Sequence, residues 1–347
     1  MRVAIIDNPH SYRGPYPVDR IRPILAAAGW VPRVYDRERA VPTAALVARI
    51  LDDGAGMVVA AGGDGTLRDV AAIMAGSGVT VGLLPGGTAN VFARDVGIPG
   101  DPHGAALALV EGVDRAIDVG RVTVADGRWG RFVMAAGLGL DGAVLAATPA
   151  GLKRKAGPLA IAMGALSVAP TWRARAIRVR VDGLLSWEGQ AWQLITGNTR
   201  LYANLVMHNP AAVLDDGRLD LCILPAASWL GLARLGLTLA LARIPPAEDA
   251  VWFAGREIEI EVLGASMPLE LDGTAVRGPV GGFIRFSAEP GALVMRLPMG
   301  SQRGSGALSP PPSGPLDRSD DALPSVPPAP RKRAAGRRAS GARPASQ

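Results

Sequence analysis

The stretch Met57-Val58-Val59-Ala60-Ala61-Gly62-Gly63-Asp64-Gly65-Thr66 decides the architecture. Its first half is a continuous apolar run, short enough for one strand buried on both faces. Its second half is a turn containing three glycines. Glycine allows positive φ and leaves no Cβ in the way of a ligand. A helical stretch, Leu67 to Ala75, follows. Strand, glycine turn and helix start together form a phosphate cradle, because backbone N–H groups converge on an anion there. Asp64 stands inside it. A carboxylate repels bare phosphate, so it meets one through Mg²⁺ or takes the proton of an acceptor hydroxyl. The competing reading is an ordinary strand-to-helix turn with a capping Asp, since glycine-rich turns often match by chance.

A second stretch repeats the device. Val79 to Leu84 is another apolar strand, followed by Pro85-Gly86-Gly87-Thr88-Ala89-Asn90. In a parallel βαβ unit both turns emerge at one sheet edge, where ligands of open α/β sheets bind. Gly62-Gly63-Asp64-Gly65-Thr66 followed by Leu84-Pro85-Gly86-Gly87-Thr88-Ala89-Asn90 resembles the catalytic domain of the diacylglycerol kinase and sphingosine kinase superfamily, and more narrowly its soluble bacterial lipid kinases. The resemblance covers residues 1 to about 298. It implies an α/β nucleotide-binding domain (1–120, with 291–298 returning to it), an antiparallel β-sandwich lipid-binding domain (121–290) and a tail (301–347).

Composition agrees with that outline. A chain of 347 residues suits two domains, and 48% hydrophobic residues supply their cores. The single cysteine, Cys222, excludes an internal disulfide and fits a reducing cytoplasm. The chain opens into a strand-like run, Arg2 to Asp7, rather than a signal peptide's apolar core. From Ser301 onward there are eight Arg or Lys against three Asp, so the tail holds most of the net charge of +6. The body is close to neutral, which does not indicate nucleic-acid binding by the fold. Rich in Pro, Ser, Gly and Arg, the tail reads as disordered, either solvated with no partner or in contact with anionic lipid headgroups or nucleic acid.

In chain order, Arg2 to Asp7 is the first strand and Asn8-Pro9 ends it. The family follows Asn-Pro with a Ser-Gly pair near the nucleotide. Here His10-Ser11-Tyr12-Arg13-Gly14 stands instead, and Asn8 either holds the loop as in the family or simply ends the strand. Helices are expected at Ile21 to Ala28, at Thr43 to Leu51 with Thr43 as cap, at Val91 to Val96, and at Asp101 to Glu111 with Asp101 as N-cap. Trp30 to Tyr35 is a strand. Many relatives carry Asp where this chain has Val91, which puts their usual metal arrangement in question. Ala116-Ile117-Asp118-Val119-Gly120 matches the strand leading out of the first domain.

Beyond it, strand-like runs at 120–124, 131–136, 176–181, 191–196 and 219–224, several bounded by turn signals, suggest an antiparallel sandwich. Gly137-Leu138-Gly139-Leu140-Asp141 resembles the family's Gly-x-Gly-Phe-Asp turn, and Lys153 to Val168 a family helix beside the lipid cleft. Met163, Leu166 and Trp172 are either cleft or core. Asp215-Asp216-Gly217-Arg218-Leu219-Asp220, with Gly197-Asn198 and Pro210, matches a segment that in the family holds a structural Mg²⁺. Carried over, its ligands are Asp216 and the carbonyls of Val213 and Arg218, oxygens that suit a hard cation. An Asp-Gly hairpin is the plainer alternative. Trp229 to Arg243 reads as a packed helix or a membrane-facing amphipathic one, too short to span a bilayer.

The last match carries the largest departure. Leu269-Glu270-Leu271-Asp272-Gly273-Thr274 aligns with the family's Asp-Gly-Glu segment, whose Glu is its proposed general base. Thr274 occupies that position and is no base at neutral pH. Asp272 or Asp64 is left for the role. The resemblance implies that ATP lies across the two turns, on Asn8, Gly62, Gly63, Asp64, Gly65, Thr66, Gly87, Thr88 and Asn90, with Asp64 working with Mg²⁺. A lipid hydroxyl at the membrane surface accepts the γ-phosphate. Diacylglycerol, a sphingoid base and phosphatidylglycerol are the substrates the family offers. The resulting expectation is a cytoplasmic kinase, peripheral on the inner face of the membrane and weakened by Thr274, with a homodimer as one option. Two rivals stay open. One is an NAD kinase, although the Asn-Glu pair of those enzymes is absent. The other is a lipid or nucleotide sensor that has lost turnover.

Overall fold

The computed structural model describes residues 1–9, 14–37, 42–148, 163–164, 167–168, 170–202, 206–207, 209, 211–226 and 250–301. The expectations for 10–13, for most of 153–168 including Leu166, for Pro210, for 229–243 and for 302–347 lie outside these residues. Chain order in the first part is β1 (Arg2–Asp7), α1 (Val18–Ala27), β2 (Val31–Asp36), α2 (Thr43–Asp52), β3 (Met57–Gly62), α3 (Asp64–Met74), β4 (Thr80–Pro85), α4 (Val91–Val96) and α5 (Pro102–Glu111). The strands lie side by side in the order β2-β1-β3-β4, all parallel. Every residue of β3 and β4 is buried, which is why both read as unbroken apolar runs. Helix α5 begins as expected, with Asp101 Oδ1 accepting from Gly104 N at 2.8 Å and Pro102 following. Helix α2 does not: Pro42 holds its cap position and Thr43 is already helical, without a side-chain cap.

The second part contains β5 (Val113–Val124), β6 (Trp129–Phe132), β7 (Ala135–Gly139), α6 (Leu140–Ala147), β8 (Arg175–Val181), β9 (Leu184–Gly197), β10 (Leu201–Tyr202), β11 (Val206–Met207), β12 (Leu219–Pro225), β13 (Val251–Gly255), β14 (Glu257–Met267), β15 (Leu269–Leu271), β16 (Thr274–Ala275) and β17 (Val280–Leu297). Its strands pair antiparallel around a sandwich core that includes Phe132, Ile177, Leu194, Leu221, Ile260 and Phe286. Phe132 and Phe286 meet edge to face with ring centroids 6.2 Å apart. The fold is thus an α/β nucleotide-binding-type layer followed by an antiparallel β-sandwich.

Two long strands join the parts. β5 and β17 pair antiparallel, with a break in register between Glu289 and Leu293. Ile117, Val119, Leu293 and Met295 belong to the first core, whereas Val122, Val124, Ile284 and Phe286 belong to the second. Met295 also pairs parallel with Val81, so the end of β17 lies beside β4. Gly120 therefore falls inside a continuous strand. Strands β13 to β16 have no counterpart among the expected elements. Trp172, one of the two cleft-or-core candidates that are described, is buried, and Met163 is exposed. Among the described residues no helix is long and apolar enough to cross a membrane.

Candidate functional site

The two glycine turns leave the C-terminal ends of neighbouring strands and lie against each other. Gly86 N donates to Gly62 O at 2.7 Å. A Cβ on Gly87 would stand 2.5 Å from Gly63 Cα, and one on Gly63 3.1 Å from Gly87 Cα. Bare backbone is thus needed for the turns to touch. Positive φ is not the reason, and that part of the expectation is corrected: none of Gly62, Gly63, Gly65, Gly86 and Gly87 is in the left-handed region. Asn90 is, at φ 47°, a conformation Asn tolerates. Its amide staples the second turn, accepting from Gly87 N at 2.9 Å and donating to Gly87 O at 3.0 Å.

Asp64 opens α3 and faces α4. Its Oδ1 accepts from Phe92 N at 3.2 Å, so the carboxylate ties the first turn to the start of the helix behind the second. Burial pushes its pKa up, against hydrogen bonds from backbone N–H groups that hold it down. Thr66 is buried, and its hydroxyl accepts from Asn8 Nδ2 at 3.1 Å. Asn8 and Thr66 therefore clamp the loop after β1 to the glycine turn. Thr88 is the hydroxyl presented outward. One turn beyond Asp64, Arg68 rests on Asp69 at 2.8 Å through Nε, and Arg37 pairs with the same carboxylate.

Across from the turns, Leu271 and Thr274 face each other in a hairpin whose two central residues, Asp272 and Gly273, have φ of 46° and 76°. Two consecutive positive φ values define the turn that suits Asp-Gly. Asp272 Oδ2 accepts from Val133 N at 2.9 Å, and its Oδ1 from Met134 N at 2.9 Å and Ala135 N at 3.0 Å. Burial still pushes its pKa up to about 6. Three of its acceptor positions are taken by backbone N–H groups, so Asp272 anchors residues 133–135. Thr274 is exposed.

Behind this hairpin lies a group of side chains that sequence reasoning did not assemble. Tyr202 Oη hydrogen-bonds Glu270 Oε1 at 2.8 Å and also Asp141 Oδ2. Glu270 is fully buried and its Oε2 accepts from Gly273 N at 2.6 Å. Asp141 and Glu270 were visible as family-like positions, but Tyr202 carries no signal of its own.

At the expected metal segment, Asp216 Oδ1 accepts from Arg218 N at 3.0 Å. Asp215 is taken by Arg115 at 2.6 and 2.7 Å. Asp118, beneath the turn, accepts from Gly217 N at 2.6 Å and Gly291 N at 2.8 Å. Burial raises the pKa of Asp216 and Asp220, the latter to about 7, and the neighbouring carboxylates add to both. A cation would relieve that crowding. Among the described residues no group of three or more acidic, His or Cys side chains could hold a metal alone, so carbonyls such as those of Val213 and Arg218 would have to complete the set. The donors fit a hard cation such as Mg²⁺.

Comparison with known proteins agrees with this geometry. The diacylglycerol kinase catalytic domain family matches residues 2–122, and the YegS C-terminal NAD kinase beta sandwich-like domain family matches residues 134–296. A Pseudomonas putida protein described as a probable lipid kinase, YegS-like, is 34% identical over 280 residues, covering 80% of this chain and 89% of its own. One from Pseudomonas aeruginosa with the same description is 36% identical over 259 residues, covering 74% and 81%. Among solved structures, a diacylglycerol kinase from Bacillus anthracis str. Sterne superposes with a TM-score of 0.64 at 18% identity, over 87% of this chain and 98% of its own, a likeness of fold. The chain belongs to the diacylglycerol kinase superfamily, among the YegS-like lipid kinases.

Proposed function

We propose that this chain is an ATP-dependent lipid kinase that transfers the γ-phosphate to a lipid hydroxyl. The observation that carries the reading is the pair of touching glycine turns at the ends of β3 and β4, with Asp64 on their rim. The triphosphate lies over Gly62, Gly63, Gly65 and Gly87, where no side chain stands in its way. Asn8 and Thr66 hold the loop after β1 in place, and Asn90 fixes the shape of the second turn. Thr88 offers its hydroxyl to the nucleotide. Asp64, tied to the start of α4, would hold Mg²⁺ beside the phosphates. Mg²⁺, when bound, neutralises charge on the transferring phosphoryl group. Asp216 and the carbonyls of Val213 and Arg218 would hold a second Mg²⁺ that braces the sandwich. Diacylglycerol-like, sphingoid and phosphatidylglycerol hydroxyls are the acceptor classes. The enzyme works from the cytoplasmic side, at the membrane surface, alone or as a homodimer, with its basic tail either solvated or against anionic headgroups.

Thr274 supports a second reading, a nucleotide- and lipid-binding protein with little turnover. Incubation with γ-labelled ATP, Mg²⁺ and a membrane-lipid extract separates the two. Labelled lipid supports the kinase. Bound ATP with no labelled lipid supports the sensor.

A further inference from the structure

Two carboxyl groups share one phenol behind the Asp272–Gly273 hairpin. The Tyr202 hydroxyl has one proton and contacts both Asp141 Oδ2 and Glu270 Oε1. It donates a straight bond to only one of them, so the arrangement is satisfied when the other contact is a carboxyl O–H donating to the phenol oxygen. The cluster then holds a second proton. Glu270 is the holder: it is fully buried, and burial with Asp141 nearby pushes its pKa far up. Asp141 is partly exposed, and burial raises it only to about 6, so near neutral pH it is the carboxylate. The site is built for these groups. A Cβ on Gly137 would stand 1.8 Å from Asp141 Oδ2 and 2.5 Å from Tyr202 Oη.

The cluster also has a place in the transfer site. Asp64 is bonded to the start of α4 through Phe92. Asp95, on the same helix, holds Arg200 through Nε at 3.2 Å and through its carbonyl at 2.8 Å. Two residues on, Tyr202 meets Asp141 and Glu270. Glu270 holds Gly273, and the neighbouring Asp272 feels the charge of Arg68, one turn from Asp64. These contacts and sequence neighbours link the cluster to Asp64 on one side and to the Asp272–Gly273 hairpin on the other.

We propose that Asp141, wired through the Tyr202 hydroxyl to Glu270, is the proton acceptor of phosphoryl transfer, supplying the base that Thr274 does not. This rests on the lipid-kinase reading. The acceptor O–H gives its proton to the Asp141 carboxylate as its oxygen bonds to the γ-phosphorus. The bond from that phosphorus to the β,γ-bridging oxygen breaks, and ADP leaves with the electron pair. Asp141 then returns its proton to water. Glu270 keeps its own proton throughout, so it and Tyr202 are positioning residues. Among the described residues, the groups facing Asp141 are Tyr202 on β10, Glu270 on β15, Gln193 on β9, whose Oε1 accepts from Asp141 N at 3.1 Å, and Gly142 N, which donates to Asp141 Oδ1 at 2.5 Å. Strands β7 and β16 present no charged side chain to it.

The test measures kcat and KM against pH for the full chain, with ATP, Mg²⁺ and whichever lipid of a membrane extract the wild type labels. Asp141→Asn should lower kcat roughly 10²–10⁴-fold, the usual contribution of a general base, with KM little changed. The wild type should lose kcat on the acid side near pH 6. Tyr202→Phe removes the hydrogen bond that favours the Asp141 carboxylate, so that limb should move to higher pH. Adding Thr274→Glu to Asp141→Asn should restore much of the loss. An Asp141→Asn variant that raises KM and keeps kcat, or a Tyr202→Phe limb that stays in place, overturns the proposal. Should Asp141→Asn fail to fold, the Tyr202→Phe profile decides. A wild type that labels no lipid overturns the kinase reading and this inference together. A labelling wild type whose Asp141→Asn variant is equally fast overturns only the inference.

Discussion

Gly65 is the position where stability and ligand binding are expected to part company. It is the second residue of α3, it is outside the left-handed region, and a Cβ there would meet nothing within 4 Å. The folded chain alone gives no reason for glycine. Alanine at a compatible helical site should stabilise by about 0.5–1 kcal/mol. At about 2–4 °C per kcal/mol that is a rise of roughly 1–4 °C in Tm. If the triphosphate lies over this turn, the new methyl group occupies the phosphate's space. Overpacking of about 1–3 kcal/mol translates into roughly 5- to 150-fold weaker ATP binding. Gly87→Ala is the contrast. Its Cβ would lie 2.5 Å from Gly63 Cα and 2.9 Å from Asn90 Oδ1, so the turns must separate, and the Gly86–Gly62 hydrogen bond goes with them. That should cost about 2–4 kcal/mol, overpacking and the lost bond together, and reduce both Tm and affinity. Thermal melts and calorimetric titration with Mg²⁺-ATP read both quantities. A Gly65→Ala protein that melts slightly higher and binds ATP as tightly as wild type refutes the placement of the phosphates.

Asp272→Asn puts an NH₂ group where Val133 N donates to Oδ2, so it should destabilise by about 2–3 kcal/mol, measured by denaturant unfolding. Asp141 and Asp272 both have their pKa raised to about 6, chiefly by burial. Their stabilising contribution is complete below the unfolded value near 3.9 and is lost as pH rises through about 6. The Tm change between pH 7.5 and 5.5 should therefore be more favourable in wild type than in Asp272→Asn, and melts across that range check it. Mg²⁺ without nucleotide should raise Tm, and Asp216→Asn should abolish the rise. Burial pushes the Cys222 thiol up to about 12 at 1% exposure, so a thiol reagent should label it only after denaturant is added.

Much of this molecule was legible where local chemistry and fold agree. Met57 to Gly62 and Thr80 to Pro85 read as buried strands because burial on both faces leaves no polar position. That glycines matter between them was also legible. Their reason was not, because the contact of Gly63 with Gly87 is made only when β3 and β4 pair. Glu257 to Val262 alternates in sequence as a strand should, yet half its residues are acidic. What makes it a strand is the facing row: Arg178 holds Glu261 at 2.9 Å and Arg285 holds Glu259 at 2.8 Å across its neighbours. Asp272 looked like a base because its residue type allows it. Three backbone N–H groups from residues 133–135, more than a hundred positions away in sequence, also make it an anchor, which its residue type does not reveal. Tyr202 was invisible for the same reason, since its partners lie 61 and 68 residues along the chain.

The central claim is most directly tested by the transfer of labelled γ-phosphate from ATP to a total membrane-lipid extract with Mg²⁺, run beside Asp64→Ala. The account predicts a labelled lipid with the wild type and none with the variant, while circular dichroism shows both folded. Equal labelling by a folded Asp64→Ala protein, or no labelled lipid from a wild type that binds ATP, would contradict it.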